Sequence, residues 1–243
     1  MGDALIAVSK TRTLAFALLV VGVIIVLGGC EKRGTAVLAE IWTDGDAVNA
    51  SPRPQLLAPG EKPFVAPIFA RTVIALMPGI YARLAPSSEL TIRDLAIEKD
   101  GNETAPGAMT LRNAVLQLST GELCAYLPAD EYGGNSRIII RVSGVEISAE
   151  QDSLFLVRVT PAAVSITCAR GALAIELAGE QRTLAAGDYV VVPRNSRREP
   201  IRSTNAAENS AAQNDLEVAL GDESVIRELV RAHMSLPAPW SRR

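Results

Sequence analysis

Twelve short apolar or alternating runs, separated by turn residues between about Phe64 and Pro193, restrict the fold of this 243-residue chain more than any other feature. They are Arg71–Leu76, Tyr81–Leu84, Glu89–Ile92, Leu95–Lys99, Thr110–Leu118, Glu122–Leu127, Arg137–Val142, Val145–Ala149, Leu154–Thr160, Ala163–Ala169, Ala172–Leu177 and Asp188–Val192. None carries a helical period, and apolar alternation at a period of two places one face of each run in a core. The pattern predicts an all-β domain, and leaves open whether its many short strands form a β-sandwich or a short solenoid-like roll. Asp100-Gly101, Gly133-Gly134 and Ala178-Gly179 mark expected hairpins, because glycine enters the positive-φ wells of tight turns at little steric cost.

The N-terminus has a different character. Lys10 and Arg12 precede an uncharged run from Thr13 to Gly29, an order of basic and apolar regions that matches a secretory signal helix. It closes on Leu27-Gly28-Gly29-Cys30, which resembles the lipobox of bacterial lipoprotein signal peptides. The resemblance implies signal-peptidase recognition through Leu27, Gly28 and Gly29, cleavage before Cys30, and acylation of the Cys30 thiol by diacylglyceryl and palmitate-like chains. Each buried methylene contributes about 0.8 kcal/mol, so two or three chains anchor a protein stably. The implied partner is membrane lipid on the periplasmic side. Glu31 stands where aspartate commonly signals inner-membrane retention, which leans the expectation towards the outer membrane.

Composition then divides the chain. Residues 1–29 read as the signal peptide and 30–62 as a Pro-rich tether, although Ala36–Trp42 has the pattern of a short edge strand. Residues 63–196 form the β-domain. Residues 197–221, rich in Ser, Asn, Ala and Glu, read as a flexible linker. In 222–243, Asp222 is the expected cap of a short C-terminal helix carrying Val225, Ile226, Leu229, Val230 and His233 on one face, with Pro237 beyond it.

Twenty-four basic and 27 acidic residues give a net charge of −3, interspersed rather than blocked, so no nucleic-acid partner is expected. His233 is the sole histidine, which leaves no zinc or copper set and no Ser-His-Asp arrangement. Nucleotide-binding glycine loops and the nucleophile elbow are absent from the sequence. Asp44-Gly45-Asp46 lacks the continuation of a calcium loop, and Asp130-Glu131 reads as a solvated turn. Gly187–Pro193 resembles the second cupin motif, but Arg198 occupies the place of its histidine ligand. No metal or cofactor is expected. With Cys30 acylated, Cys124 and Cys168 remain; an oxidising periplasm permits their pairing, while Cys168, in phase with Val164 and Ile166, also fits a separate core thiol.

Three stretches carry a family resemblance: Ile80–Ile92, Leu111–Leu123, and Val164–Ile175 followed by Leu184–Val192. In order and spacing they resemble the strand, turn and hairpin pattern of the FecR-like domain, found in the periplasmic part of bacterial sigma-factor regulators. Glu150–Phe155 departs from the Arg-Gly-Thr-x-Phe segment of many members. A short lead of Met1–Arg12 precedes the apolar run, so a direct anti-sigma role, which needs a cytoplasmic domain, is not expected. The resemblance implies a membrane-anchored, non-catalytic binding or signalling-accessory module for an envelope protein or polysaccharide. An envelope enzyme acting on glycan or peptide, and a structural assembly subunit, are the alternatives.

Overall fold

The computed structural model describes residues 37–43, 54–60, 62–99, 109–129, 134–194 and 203–233. The leader, Leu27, Gly28, Gly29, Cys30, the Asp44-Gly45-Asp46 and Asp130-Glu131 pairs, the Asp100-Gly101 turn and Pro237 lie outside them. Among the described residues are fifteen strands: β1 (Ala39–Thr43), β2 (Gln55–Leu57), β3 (Phe64–Val65), β4 (Thr72–Met77), β5 (Ile80–Leu84), β6 (Glu89–Lys99), β7 (Met109–Leu127), β8 (Asn135–Val142), β9 (Val145–Glu150), β10 (Ser153–Val159), β11 (Ala163–Arg170), β12 (Ala172–Leu177), β13 (Glu180–Ala185), β14 (Asp188–Pro193) and β15 (Ser203–Asn205). A short 3₁₀ turn, Ala206–Glu208, leads into one helix, α1 (Ser210–His233).

The strands form two layers that share β7. Sheet A runs β2-β1-β4-β5-β7-β10-β11-β14-β15 and uses the C-terminal part of β7. Sheet B runs β3-β6-β7-β8-β9-β12-β13 and uses its N-terminal part. One core fills the space between them, built from alternate residues of both layers such as Ile74, Leu84, Leu123, Phe155 and Ile166 facing Leu90, Leu116, Ile140, Ile147 and Ile175. Burying each such side chain stabilises by about 1.5–3 kcal/mol. The architecture is thus a mostly β, two-layer sandwich, not a solenoid-like roll.

Gly121 is where β7 passes from one sheet to the other. Its φ is +94°, and an added Cβ would lie 2.6 Å from Ser88 Cα. The Ser88 hydroxyl donates to the Glu122 carbonyl at 3.1 Å and accepts from the Glu122 amide at 2.9 Å, locking the crossing point. Two runs read separately from sequence, Thr110–Leu118 and Glu122–Leu127, are therefore one 19-residue strand. Glu89–Ile92 and Leu95–Lys99 likewise join in β6 across a register shift between Ile92 and Asp94.

Other expectations need correction. The 30–62 tether contains β1 and β2, and β1 is no edge strand: it pairs with β2 on one side and β4 on the other. Ala39 and Ile41 bury in the central core, which a free tether could not do. Gly133-Gly134 does not close a hairpin, since β8 runs parallel to β7 with Ala114 opposite Ile138. The Ala178-Gly179 hairpin is present between β12 and β13, with φ of 53° and 84°, the values of a type I′ turn, and Ser143-Gly144 makes the same turn between β8 and β9.

The 197–221 linker is corrected most. Helix α1 begins at Ser210, where the Asn209 side chain accepts from the amides of Ala211 and Ala212 at 2.9 and 3.3 Å. Asp222, expected to cap the helix, is buried in its middle. The inward positions of the first turns are Ala212, Asp215 and Ala219, small or charged, so a search for bulky apolar periodicity passes over them.

Candidate interaction face

The outer surfaces of the two sheets differ in kind. That of sheet A is covered: Trp42, Val73, Tyr81, Cys124, Tyr126, Leu154 and Leu156 pack against Ala219 and Ile226 of α1, with Val225, Leu229 and Val230 at the margin. Tyr81 and Tyr126 stack at 6.3 Å beneath it. A chain of ion pairs fastens the helix. Asp222 binds Arg83 at 2.6 Å and Arg71 at 2.8 Å; Glu122 binds Arg71 at 3.2 Å and Arg158 at 2.8 Å; Arg158 continues to Asp215 at 2.8 Å. Further along, Glu223 takes a two-point bond from Arg170 and a 2.7 Å contact from Arg227, which also lies over the Tyr126 ring.

Burial sets the electrostatics of this clamp. It pushes the Asp215 and Asp222 carboxyls above their ordinary value of 3.8, against the pull of Arg158 on the first and of Arg71 and Arg83 on the second. At Glu223 burial also pushes upward, but the hydrogen bonds and charges of Arg170 and Arg227 prevail and hold the carboxyl below 4.5. A depressed carboxylate contributes stability above its unfolded value, and that stability is lost as pH falls through the folded one. Glu223→Gln is therefore expected to flatten the decline of stability below about pH 4.5 in urea titrations. Asp215 and Asp222 add no such loss in acid, because burial offsets the pull of their arginines.

Every carboxylate of the clamp faces an arginine under a packed helix, an arrangement suited to holding α1 rather than to proton transfer. Among the described residues no group of three or more His, Cys, Asp or Glu side chains is placed to hold a metal. Cys124 and Cys168 are free, buried thiols on opposite faces of sheet A: Cys124 lies under the helix, Cys168 in the central core. The disulfide weighed from sequence is not formed. Burial holds Cys124 well above the usual thiol range and Cys168 at about 11. In a Cys30→Ser chain, both thiols are expected to resist alkylation at pH 7.5 until denaturant is added; two fast-reacting thiols in the folded protein would contradict this placement.

Among the described residues no element packs over the outer surface of sheet B. On β8, Arg137, Ile139 and Arg141 alternate with buried Ile138, Ile140 and Val142. On β9, Glu146, Ser148 and Glu150 alternate in the same way, and on β12 Ala172, Ala174 and Glu176. Register aligns these side chains in rows. Asn113, Arg137 and Glu150 stand side by side; next come Val115, Ile139, Ser148 and Ala174; then Gln117, Arg141, Glu146 and Glu176. Arg93 extends the last row, bonding Gln117 at 2.9 Å, and Arg141 pairs with Glu146 at 2.9 Å. A shallow groove of about 420 Å³ opens at its end beside Ser143-Gly144. The sequence offered no sign of this face beyond Arg137 and Arg141 alternating with isoleucines; strand register is what assembles it.

Comparison with known proteins gives limited company. Two crystal structures of a candidate anti-sigma factor from Parabacteroides distasonis ATCC 8503 are similar to this chain, both at 12% identity: one with a TM-score of 0.43 and 60% of each chain covered, the other with 0.42 and 59%. The chain thus spans about 60% of the length of these neighbours. No family model matches it, and no curated protein does.

Proposed function

We propose that this protein is a membrane-anchored, non-catalytic binding or signalling-accessory module of the bacterial envelope, with a FecR-like β-domain that meets a protein or polysaccharide partner. The supporting observation is the contrast between its two sheets. Helix α1 and its ion pairs cover the outside of sheet A, whereas no described element packs over the six strands of ordered polar and small side chains on the outside of sheet B. A sheet face whose side chains stand in register offers a partner many contacts with little ordering cost, since those side chains are already held by their neighbours. The lipid-acylated Cys30, recognised through Leu27, Gly28 and Gly29, fixes the domain to the periplasmic side of a membrane, preferentially the outer one.

A photo-crosslinker at Ile139 in intact cells tests the binding face. A discrete adduct, lost in Arg141→Glu, is expected; a smear indifferent to that substitution would overturn the reading. For the anchor, Cys30→Ser should release the protein from membranes or leave an unprocessed precursor. Normal processing with unchanged mass would sink it.

A further inference from the structure

We infer that the occupant of the open face of sheet B is a second copy of this chain, packed face to face about a two-fold axis that lies in the interface, parallel to the strands, between β8 and β9. This rests on the reading of that face as the contact surface and names what covers it. The charges carry the inference. β8 presents two arginines, Arg137 and Arg141, at the same levels at which β9 presents two glutamates, Glu150 and Glu146. A rotation about the stated axis lays β8 of each copy over β9 of the other, so each arginine meets a glutamate at both ends of the strands. Ile139 then meets Ser148 between them.

The flanking strands agree with this geometry. Neutral β7, with Asn113, Val115 and Gln117 outward, lies over β12, where Ala174 and Glu176 face out. β6 carries Arg93 but also the acidic Asp94 and Glu98, and it falls over β13, whose outward Gln181, Thr183 and Ala185 are uncharged. No acid opposes an acid. The central row, Val115, Ile139, Ser148 and Ala174, is half-buried already and low enough to let the sheets approach the roughly 10 Å spacing of packed layers. An axis across the strands would instead stack β8 on β8 and oppose arginine to arginine.

Edge pairing is blocked by contrast. The full-length edge strand β13 exposes Glu180 and Arg182, charged residues of the kind that keep edges from adding another strand. Strands about 4.8 Å apart and 3.3 Å per residue give the six-strand face an extent of roughly 24 by 20 Å. Two copies would bury on the order of 1,000 Å², the lower end of specific interfaces, with an expected Kd on the order of 10 µM.

Sedimentation equilibrium of the processed full chain carrying Cys30→Ser is the test. A salt-sensitive dimer is expected; added Arg141→Glu or Glu146→Arg should each weaken it at least tenfold, because the homodimer then opposes like charges twice. An equimolar mixture of the two variants should regain the parent affinity, since every cross-copy contact becomes opposite in sign. Both positions are on the surface, and unchanged thermal melting confirms the variants' folds. Monomers at several hundred micromolar, or a mixture no tighter than either variant alone, would overturn the inference. If the chain stays monomeric while Arg141→Glu still abolishes the Ile139 adduct in cells, the dimer falls and the binding-face reading stands; loss of neither effect's parent signal to Arg141→Glu removes both.

Discussion

Gly121→Ala is expected to destabilise the protein by about 2–4 kcal/mol, the larger part of what a domain of this size has to lose. Two causes add. A side chain at φ +94° is strained whatever surrounds it, which costs about 1 kcal/mol or more. Here the surroundings are also full: the new methyl would overlap Ser88, whose hydroxyl bonds the backbone amide and carbonyl of Glu122 and joins the start of β6 to β7. Gly179 supplies the control, because its φ of +84° is similar while nothing lies within 4 Å of an added Cβ. Gly179→Ala should therefore cost the strain alone, about 1 kcal/mol. Urea unfolding of the two variants separates the contributions, and equal losses would remove the packing argument.

The second large effect is expected at Asp222. Its carboxylate is 5% exposed and binds two arginines, Arg83 at 10% and Arg71 at 29% exposure. Asp222→Ala removes the carboxylate that both arginines share and leaves Arg71 to Glu122 alone, a defect that costs about 3 kcal/mol, the lower end for a broken buried pair. Asp222→Asn keeps the shape and one hydrogen-bond acceptor, so its loss should be about half as large. Replacing the pair together, Asp222→Leu with Arg83→Met, should recover much of the stability, since apolar substitutes for a buried ion pair are often as stable as the pair. Hydrogen exchange along α1 should quicken in Asp222→Ala before that of β10 does. A loss below 1 kcal/mol would show that apolar packing by Ile226 and Ala219 holds the helix unaided.

The β character of the chain was legible because sandwich strands alternate so plainly: Ser136, Ile138, Ile140 and Val142 point inward and Arg137, Ile139 and Arg141 outward, as their sequence spacing demands. The turn at Ala178-Gly179 was legible for the same local reason. What failed is what alternation does not encode. Parallel and antiparallel partners of β7 require the same side-chain pattern, so the parallel β8 was invisible and Gly133-Gly134 misread. Gly121 looked like a strand break because a positive-φ glycine more often ends a strand than carries it between sheets. Helix α1 was shortened because its first contacts to the sheet are made by Ala212, Asp215 and Ala219, none of which resembles a core residue in isolation. The open face was hidden for a related reason: Arg141 and Glu146 flank a turn like any solvated pair, and only the register of β7, β8, β9 and β12 lines them up in rows.

A strand shared by two sheets has a consequence for how the domain comes apart. Neither layer can peel away while β7 keeps its place, because each would tear half of the same 19 residues from the other. The two layers should melt as one cooperative unit, with a single transition by every probe, and the slowest-exchanging amides should sit on either side of Gly121 and report the global unfolding energy rather than any local opening.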